Sequence, residues 1–374
     1  MRVALISGNY NYLREGANQA LNRLVGDLES SGHRVRVYSP VTDTPAFEPE
    51  GELVPVPSIA LPVRREFRLA LGLPRTVRED VRRFDPDLIH VSTPDILGTR
   101  AQTFARRLGV PVVASLHTRF ETYFRYYGAG VLRPLAEAHL RRFYRRSDHV
   151  LAPTPAIVEE MKRLRGDDRV TLWSRGVDRE LFDPKRRSAK WRRAQGFADD
   201  DVVLLFFGRL VLEKGIADFA STVQALRKRG IKIRPLVVGT GAARERVELL
   251  GDVVFTGHLE GPELARAIAS ADILLHPSRT EAFGNVVVEA MASGLAVICA
   301  DAQSARAIAG GGRGIIICRP DRFADEVAKL CRNAGRRRAL GILARQESAR
   351  FDWDEASRSV LAAYEAVVGP NARA

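Results

Sequence analysis

The 374-residue chain has little of several things, and each scarcity excludes something. Its three cysteines, Cys299, Cys318 and Cys331, show no paired or metal-type spacing. A disulfide scaffold is thereby excluded. Cys299 and Cys318 end apolar runs and read as core residues, which suits a reducing compartment. No apolar run approaches the roughly 20 residues that span a bilayer. The opening "MRVALISGNY" has too short an apolar stretch for a secretion signal and no small-residue cleavage site. It reads as a first strand, and the protein is expected to be cytoplasmic. Lysine is scarce as well: seven residues against 51 arginines. Low-complexity segments and short-period repeats are missing altogether.

What is present describes a folded chain. Apolar residues make up 45% and charged residues 28%, a globular balance, and the length favours two domains. The net charge of +13 calls for an anionic partner. Residues 1–190 carry 32 Lys+Arg against 23 Asp+Glu, and the remainder 26 against 22, so the excess lies in the first half. Nucleic acid is not the expected partner, because the chain contains no recognisable nucleic-acid module.

Short β-branched runs alternate with helical patterns throughout, which predicts parallel sheets with crossover helices. Strands are expected at 2–7, 34–38, 87–92, 110–115 and 148–152 in the first half. In the second they are expected at 202–207, 233–238, 252–256, 272–276, 295–299 and 314–318. The polar stretch "FDPKRRSAKWRRAQGFADDD", 182–201, reads as a linker. The fold class is α/β: two Rossmann-like doubly wound domains facing a cleft, residues 1–186 and 187–352.

Ligands of such sheets bind at the carboxyl ends of strands, where loops meet helix N-termini. Arg209 and Lys214 follow the strand at 202–207 in a glycine-containing loop; a planar fork and a point charge suit a diphosphate, though a solvated loop stays open. Gly239 and Gly241 form a truncated glycine-rich turn after the next strand, equally readable as a plain strand-to-helix turn. Gly257 and His258 lie in a turn whose backbone amides could read a base edge. In "EAFGNVVVEAMASG", 281–294, Glu281 precedes a Phe283-Gly284-Asn285 turn that opens a helix, and Glu289 lies about one turn inside it. Unpaired amides at a helix start suit anionic or hydroxyl-rich ligands, and two carboxylates suit a sugar and a ribose. An acid at the helix dipole plus a surface acid remains the plain alternative. In the first half, Gly16 and Asn18 fall in a loop after the first strand, and His117 lies just past the strand at 110–115.

Together these segments resemble the retaining nucleotide-sugar glycosyltransferases commonly numbered family 4, with the GT-B fold. The likeness is carried by "GRLVLEKG" and "EAFGNVVVEAMASGLAVICAD", specific in combination and in order, with "GANQALNRLVGDLESSGHRVRVYSP" and "FDWDEASRSVLAAYEAV", and it extends over almost the whole chain. The resemblance implies that Arg209 and Lys214 bind the donor diphosphate and Glu289 the ribose. Glu281, with the amides of Phe283, Gly284 and Asn285, would hold the transferred hexose. His117 would contact the donor sugar near its anomeric carbon, and Gly16 would allow close approach to the phosphate. The last helix, about 353–374, would return to the first domain. One departure stands out: many members have paired glycines where this chain has Glu15-Gly16. No cofactor or metal is expected. The strings Asp85-Pro86-Asp87 and Asp352-Trp353-Asp354 lie at a strand's amino end and at a helix start, the wrong places for a metal site.

The acceptor is expected at an anionic membrane surface. "HTRFETYFRYYG" interleaves Arg119 and Arg125 with Tyr123, Tyr126 and Tyr127, and 133–148 adds Arg141, Arg142 and Arg145 with aromatics at 143 and 144. Residues 62–84 form a third basic stretch. Basic amphipathic surface with aromatics suits anionic headgroups, and the "HT-F-Y-YYG" pattern resembles the lipid-modifying branch of sulfoquinovosyl and mannosyl transferases. Solvated helices in an arginine-rich protein would look similar. Alternatives are a nucleotide-sugar epimerase of the same fold, a non-catalytic sugar-nucleotide binder, or a transferase for a soluble or polysaccharide acceptor.

Overall fold

The computed structural model describes residues 1–13, 15–61, 67–117 and 133–369. They form two units. One comprises the chain up to Arg175 together with Asp354 onward; the other runs Gly176–Trp353.

The first unit is built on a sheet with strands β1 (Arg2–Ile6), β2 (Arg34–Ser39) and β3 (Glu52–Pro55), followed by a small antiparallel hairpin of β4 (Ser58–Ala60) and β5 (Arg68–Ala70). The sheet continues with β6 (Leu88–Val91), β7 (Val112–Ser115), β8 (His149–Ala152) and β9 (Val170–Leu172). Its order is β3-β2-β1-β6-β7-β8-β9, all parallel. The second unit contains β10 (Val203–Phe207), β11 (Arg234–Val238), β12 (Val254–Gly257), β13 (Ile273–His276), β14 (Ala296–Ala300) and β15 (Ile315–Cys318). They order as β12-β11-β10-β13-β14-β15, again parallel. In both sheets the order reverses beside the first strand, the position that forms a ligand crevice in doubly wound folds.

Alternation builds the core. Val203 and Leu205 face one apolar layer of the second sheet while Leu204 and Phe206 face the other, so both faces are covered. Helices are bounded by local chemistry: Thr154 caps Pro155–Arg165 by accepting from the Ile157 amide, Pro155 opens it, and Gly166 closes it at φ 79°. The expected strands form. Those not anticipated are β3, a proline-ended edge strand, β4, β5 and β9, which are three or four residues long and carry no readable alternation.

The expected linker is instead part of the second unit. Within 182–201 the chain forms a short helix, Ala189–Ala194, capped by Ser188. Arg192, only 2% exposed, donates to the carbonyls of Ala198, Asp201 and Ser270 and to Asp272. A guanidinium with five donors can be buried when each finds an oxygen, and that is what a composition reading misses here. Residues 176–186 likewise belong with the second unit rather than the first: the Val177 amide donates to Phe351, and Arg345 reaches Phe182 and Asp183. The helix Trp353–Val368 packs on the first unit, where Ser357 bonds Asp27 and Tyr364 bonds His90.

Replacing Arg192 with Met takes a donor from four acceptors, of which the Ser270 carbonyl is buried. Urea denaturation is expected to show a loss of about 2–4 kcal/mol, against under about 0.5 kcal/mol for Arg193→Met on the exposed side.

Candidate functional site

The loops that follow β10 and β11 are held together by backbone. Gly208 and Leu210 donate to Val238 and Thr240, and Ala243 donates back to Leu210. This zipper explains Gly239 and Gly241. A side chain on Gly239 would meet the Gly208 carbonyl at 2.0 Å, and one on Gly241 the Leu210 carbonyl at 2.4 Å. Their glycine identity is required by the fold around Arg209. Gly215, at φ 74°, likewise lies against Pro277, while the hydroxyls of Ser278 and Thr280 donate to the Glu213 carbonyl.

That second clamp sets the geometry of the charged pair. Lys214 Nζ lies 2.5 Å from Glu281 Oε1, with both side chains largely shielded from solvent. His276, the last residue of β13 and buried, has Nε2 3.8 Å from the same oxygen. Burial by itself would raise the Glu281 pKa; Lys214, His276 and Arg209 reverse this and lower it to about 2. Burial also lowers His276 to about 4, so the imidazole is neutral at pH 7. Sequence reasoning passed over His276, although its position at a strand's carboxyl end was the available signal.

The helix Asn285–Ala292 starts at Gly284, φ 111°, with no side chain capping it. Its Val287 and Val288 are buried, whereas Asn285 and Glu289, four residues apart, share a half-buried face. Among the described residues the Glu289 carboxyl has no hydrogen-bond or ion-pair partner, and burial raises its pKa to about 7. The two glutamates are therefore unlike: one is a paired carboxylate, the other is poised between neutral and charged. His258 is exposed and bonds Glu260, and Gly257 accepts from the Gly239 amide.

In the first unit two expectations change. Gly16 is the first residue of helix Gly16–Ser30, and Asn18 lies inside that helix rather than in a loop, donating to the Leu13 carbonyl. No side chain caps that helix start, and Gly16 is exposed on it. His117 has both ring nitrogens engaged, Nε2 with Ser115 Oγ at 2.7 Å and Nδ1 with Arg175 at 2.8 Å. The two acidic strings serve locally: Asp85 and Asp87 bind the Arg2 side chain and backbone, and Trp353 and Asp354 open the last helix.

Of the basic surface residues, Arg119, Tyr123, Arg125, Tyr126 and Tyr127 lie outside the described residues. Arg141, Arg142 and Arg145 are exposed on helix Arg133–Arg145, but Phe143 and Tyr144 turn into the core because the apolar stripe of that helix faces the sheet. With Arg106 and Arg146 these arginines line a depression of about 700 Å³. A second depression, about 580 Å³, combines Arg78, Arg100 and Arg107 with Ile59, Leu71 and Phe104.

Comparison with known proteins gives the family and the fold. Residues 14–181 match the model "Glycosyltransferase Family 4" and residues 201–333 match "Glycosyl transferases group 1". A GDP-mannose-dependent alpha-mannosyltransferase of Mycolicibacterium smegmatis is 34% identical over 99% of this chain and 98% of its own. The chain belongs to glycosyltransferase family 4. Another relative of this transferase is the sulfoquinovosyl transferase SQD2 of Arabidopsis thaliana, 31% identical over 81% of the chain and 61% of its own length. Among solved structures, the sucrose-phosphate synthase of Thermosynechococcus elongatus superposes with TM-score 0.79 at 18% identity, covering 98% of each chain. Anabaena HepE in complex with UDP superposes at 0.76 and 17% identity, over 98% of this chain and all of its own. These two establish the GT-B fold.

The Glu289 carboxyl makes a pH prediction. Its folded pKa, about 7, lies above the unfolded value near 4.3, so the folded state binds the extra proton and stability falls as pH rises from about 4 through 7. Thermal melts of Glu289→Gln should therefore match the parent at pH 4.5 and exceed it at pH 8, by up to about 3 kcal/mol.

Proposed function

We propose that the transferase moves a hexose from a nucleoside-diphosphate sugar, with GDP-mannose the first donor to test, to a lipid or glycolipid acceptor at an anionic cytoplasmic membrane face. The observation that carries the reading is the cluster of Arg209, Lys214, Glu281 and the uncapped start of helix Asn285–Ala292 at one sheet edge. GDP-mannose is favoured by the name of the mycobacterial relative, and a lipid acceptor by that of the plant one together with the arginine-lined depressions of the first unit.

In this mechanism Arg209 and Lys214 hold the diphosphate and stabilise the charge that grows on it as the bond to the anomeric carbon breaks. The amides at Phe283–Asn285 add the positive end of a helix dipole, so the chemistry needs no metal. Glu281 exchanges part of its pairing with Lys214 for sugar hydroxyls. Glu289, lacking a protein partner among the described residues, accepts from the ribose. Gly257 and His258 keep the assignment to the base, and Gly16 that to the phosphate. His117 contacts the sugar through its carbonyl or ring edge, its nitrogens being engaged. The acceptor hydroxyl attacks on the face the phosphate leaves, the C1–O bond breaks, and the departing phosphate oxygen takes the hydroxyl proton. Configuration is retained.

Incubation with GDP- and UDP-sugars, with and without membrane lipid extract, tests this. Lipid-dependent release of nucleoside diphosphate with labelled lipid is expected; an altered nucleotide sugar without acceptor indicates an epimerase. Lys214→Ala and Glu281→Ala should each lower kcat on the order of 10²-fold, and unchanged turnover removes the site assignment. Flotation with anionic vesicles at low salt should carry the protein upward, and its failure to do so removes the membrane-face reading.

A further inference from the structure

Arg175 is 4% exposed, follows β9 by three residues and stacks its guanidinium 4.7 Å over Trp173. It donates to the carbonyls of Trp173 and Ser174 and, through Nη2, to His117 Nδ1. Among the described residues no carboxylate pairs with it. Beyond His117 the bonds continue inward. Ser115 Oγ lies 2.7 Å from His117 Nε2 and 2.7 Å from His90 Nε2, and His90 Nδ1 lies 2.6 Å from the Tyr364 hydroxyl. Ser115 and His90 are buried on neighbouring strands β7 and β6, and Tyr364 is buried on the last helix. The Trp173 ring packs edge-on against both imidazoles.

Arginine only donates, so the direction at the His117 end follows from it. His117 Nδ1 must offer a lone pair. A neutral ring then carries its proton on Nε2 and donates it to Ser115 Oγ. The serine oxygen has two lone pairs, so it can accept from His90 Nε2 as well or donate to it, and His90 with Tyr364 takes the matching sense. A charged His117 would set an N–H against the guanidinium N–H and is excluded.

We infer that Arg175 is a positioning residue that holds His117 as the Nε2–H tautomer, donating to Ser115 at the outer end of the chain His117–Ser115–His90–Tyr364. His117 is thereby oriented but unavailable for proton transfer while the chain is intact. The tautomer assignment stands on geometry alone; its consequence for transfer rests on His117 touching the donor.

Long-range 1H–15N spectra of histidine side chains in the full-length protein test it. Wild type should show acceptor-type Nδ1 and protonated Nε2 in His117. Arg175→Met should change the His117 pattern and Arg175→Lys should preserve it. In lipid-dependent transfer, Arg175→Met should lose on the order of tenfold or more in kcat with little change in KM, and Arg175→Lys should recover most of it. A protonated Nδ1 in wild-type His117, or unchanged tautomers in Arg175→Met, overturns the inference; an altered tautomer with unaltered kcat overturns the positioning role. If Arg175→Met fails to fold, Ser115→Ala cuts the chain while leaving Arg175: His117 Nδ1 should stay an acceptor, and a tautomer mixture there overturns the proposal. Failure of the donor reading itself would show instead as wild type inactive with every sugar nucleotide, with the spectra unaffected.

Discussion

Every strand of a parallel sheet ends on the same edge, and both units obey that constraint. The faces are sealed by apolar layers, so the edge where the carboxyl ends gather is where polar chemistry can reach a ligand. In the second unit the reversal lies between β10 and β13, and the loops leaving those strands bring Arg209, Lys214, His276 and Glu281 together. Glycines at 215, 239 and 241 permit the backbone contacts that hold these loops. In this sense the charged cluster is a product of backbone packing: a side chain at any of the three would displace the cations.

Environment then separates groups of the same chemistry. Glu281 and Glu289 are eight residues apart in sequence, yet one is held ionised by neighbouring positive groups and the other is pushed toward neutrality by burial without a partner. A paired carboxylate can trade one partner for another at low cost, whereas an unpaired one gains a bond from any hydroxyl offered to it. The histidines of the first unit show the same principle. His90 and His117 are both neutral through burial, but the fixed donor at Arg175 decides where the His117 proton sits.

Much of the site was legible before the fold was. Arg209 and Lys214 stood out as cations in a glycine-containing loop after a strand, and Glu281 as a carboxylate just before a helix start. His276 did not stand out because it ends an apolar run and reads as part of the strand. Arg175 and Arg192 were hidden in an arginine-rich background, where composition cannot tell a buried guanidinium from a solvated one. The apparent linker failed for that reason, since its charges are satisfied by carbonyls distant in sequence. Phe143 and Tyr144 failed in the opposite sense. Adjacent aromatics among arginines suggested one mixed surface, but the helix sends them inward and leaves the arginines outside.

Local pattern by itself determined the alternation of strand and helix, the parallel class, the strands long enough to show a period, and the segments that carry charge to a strand end. Those properties depend on residues within a few positions of one another. Tertiary structure decided the ion pair of Lys214 with Glu281, 67 residues apart, and the chain that links Tyr364 to His117 through His90. It also decided which arginines are buried. The physical reason is that a hydrogen bond or a desolvated charge is defined by its partner, and these partners meet only when the strands between them are in register.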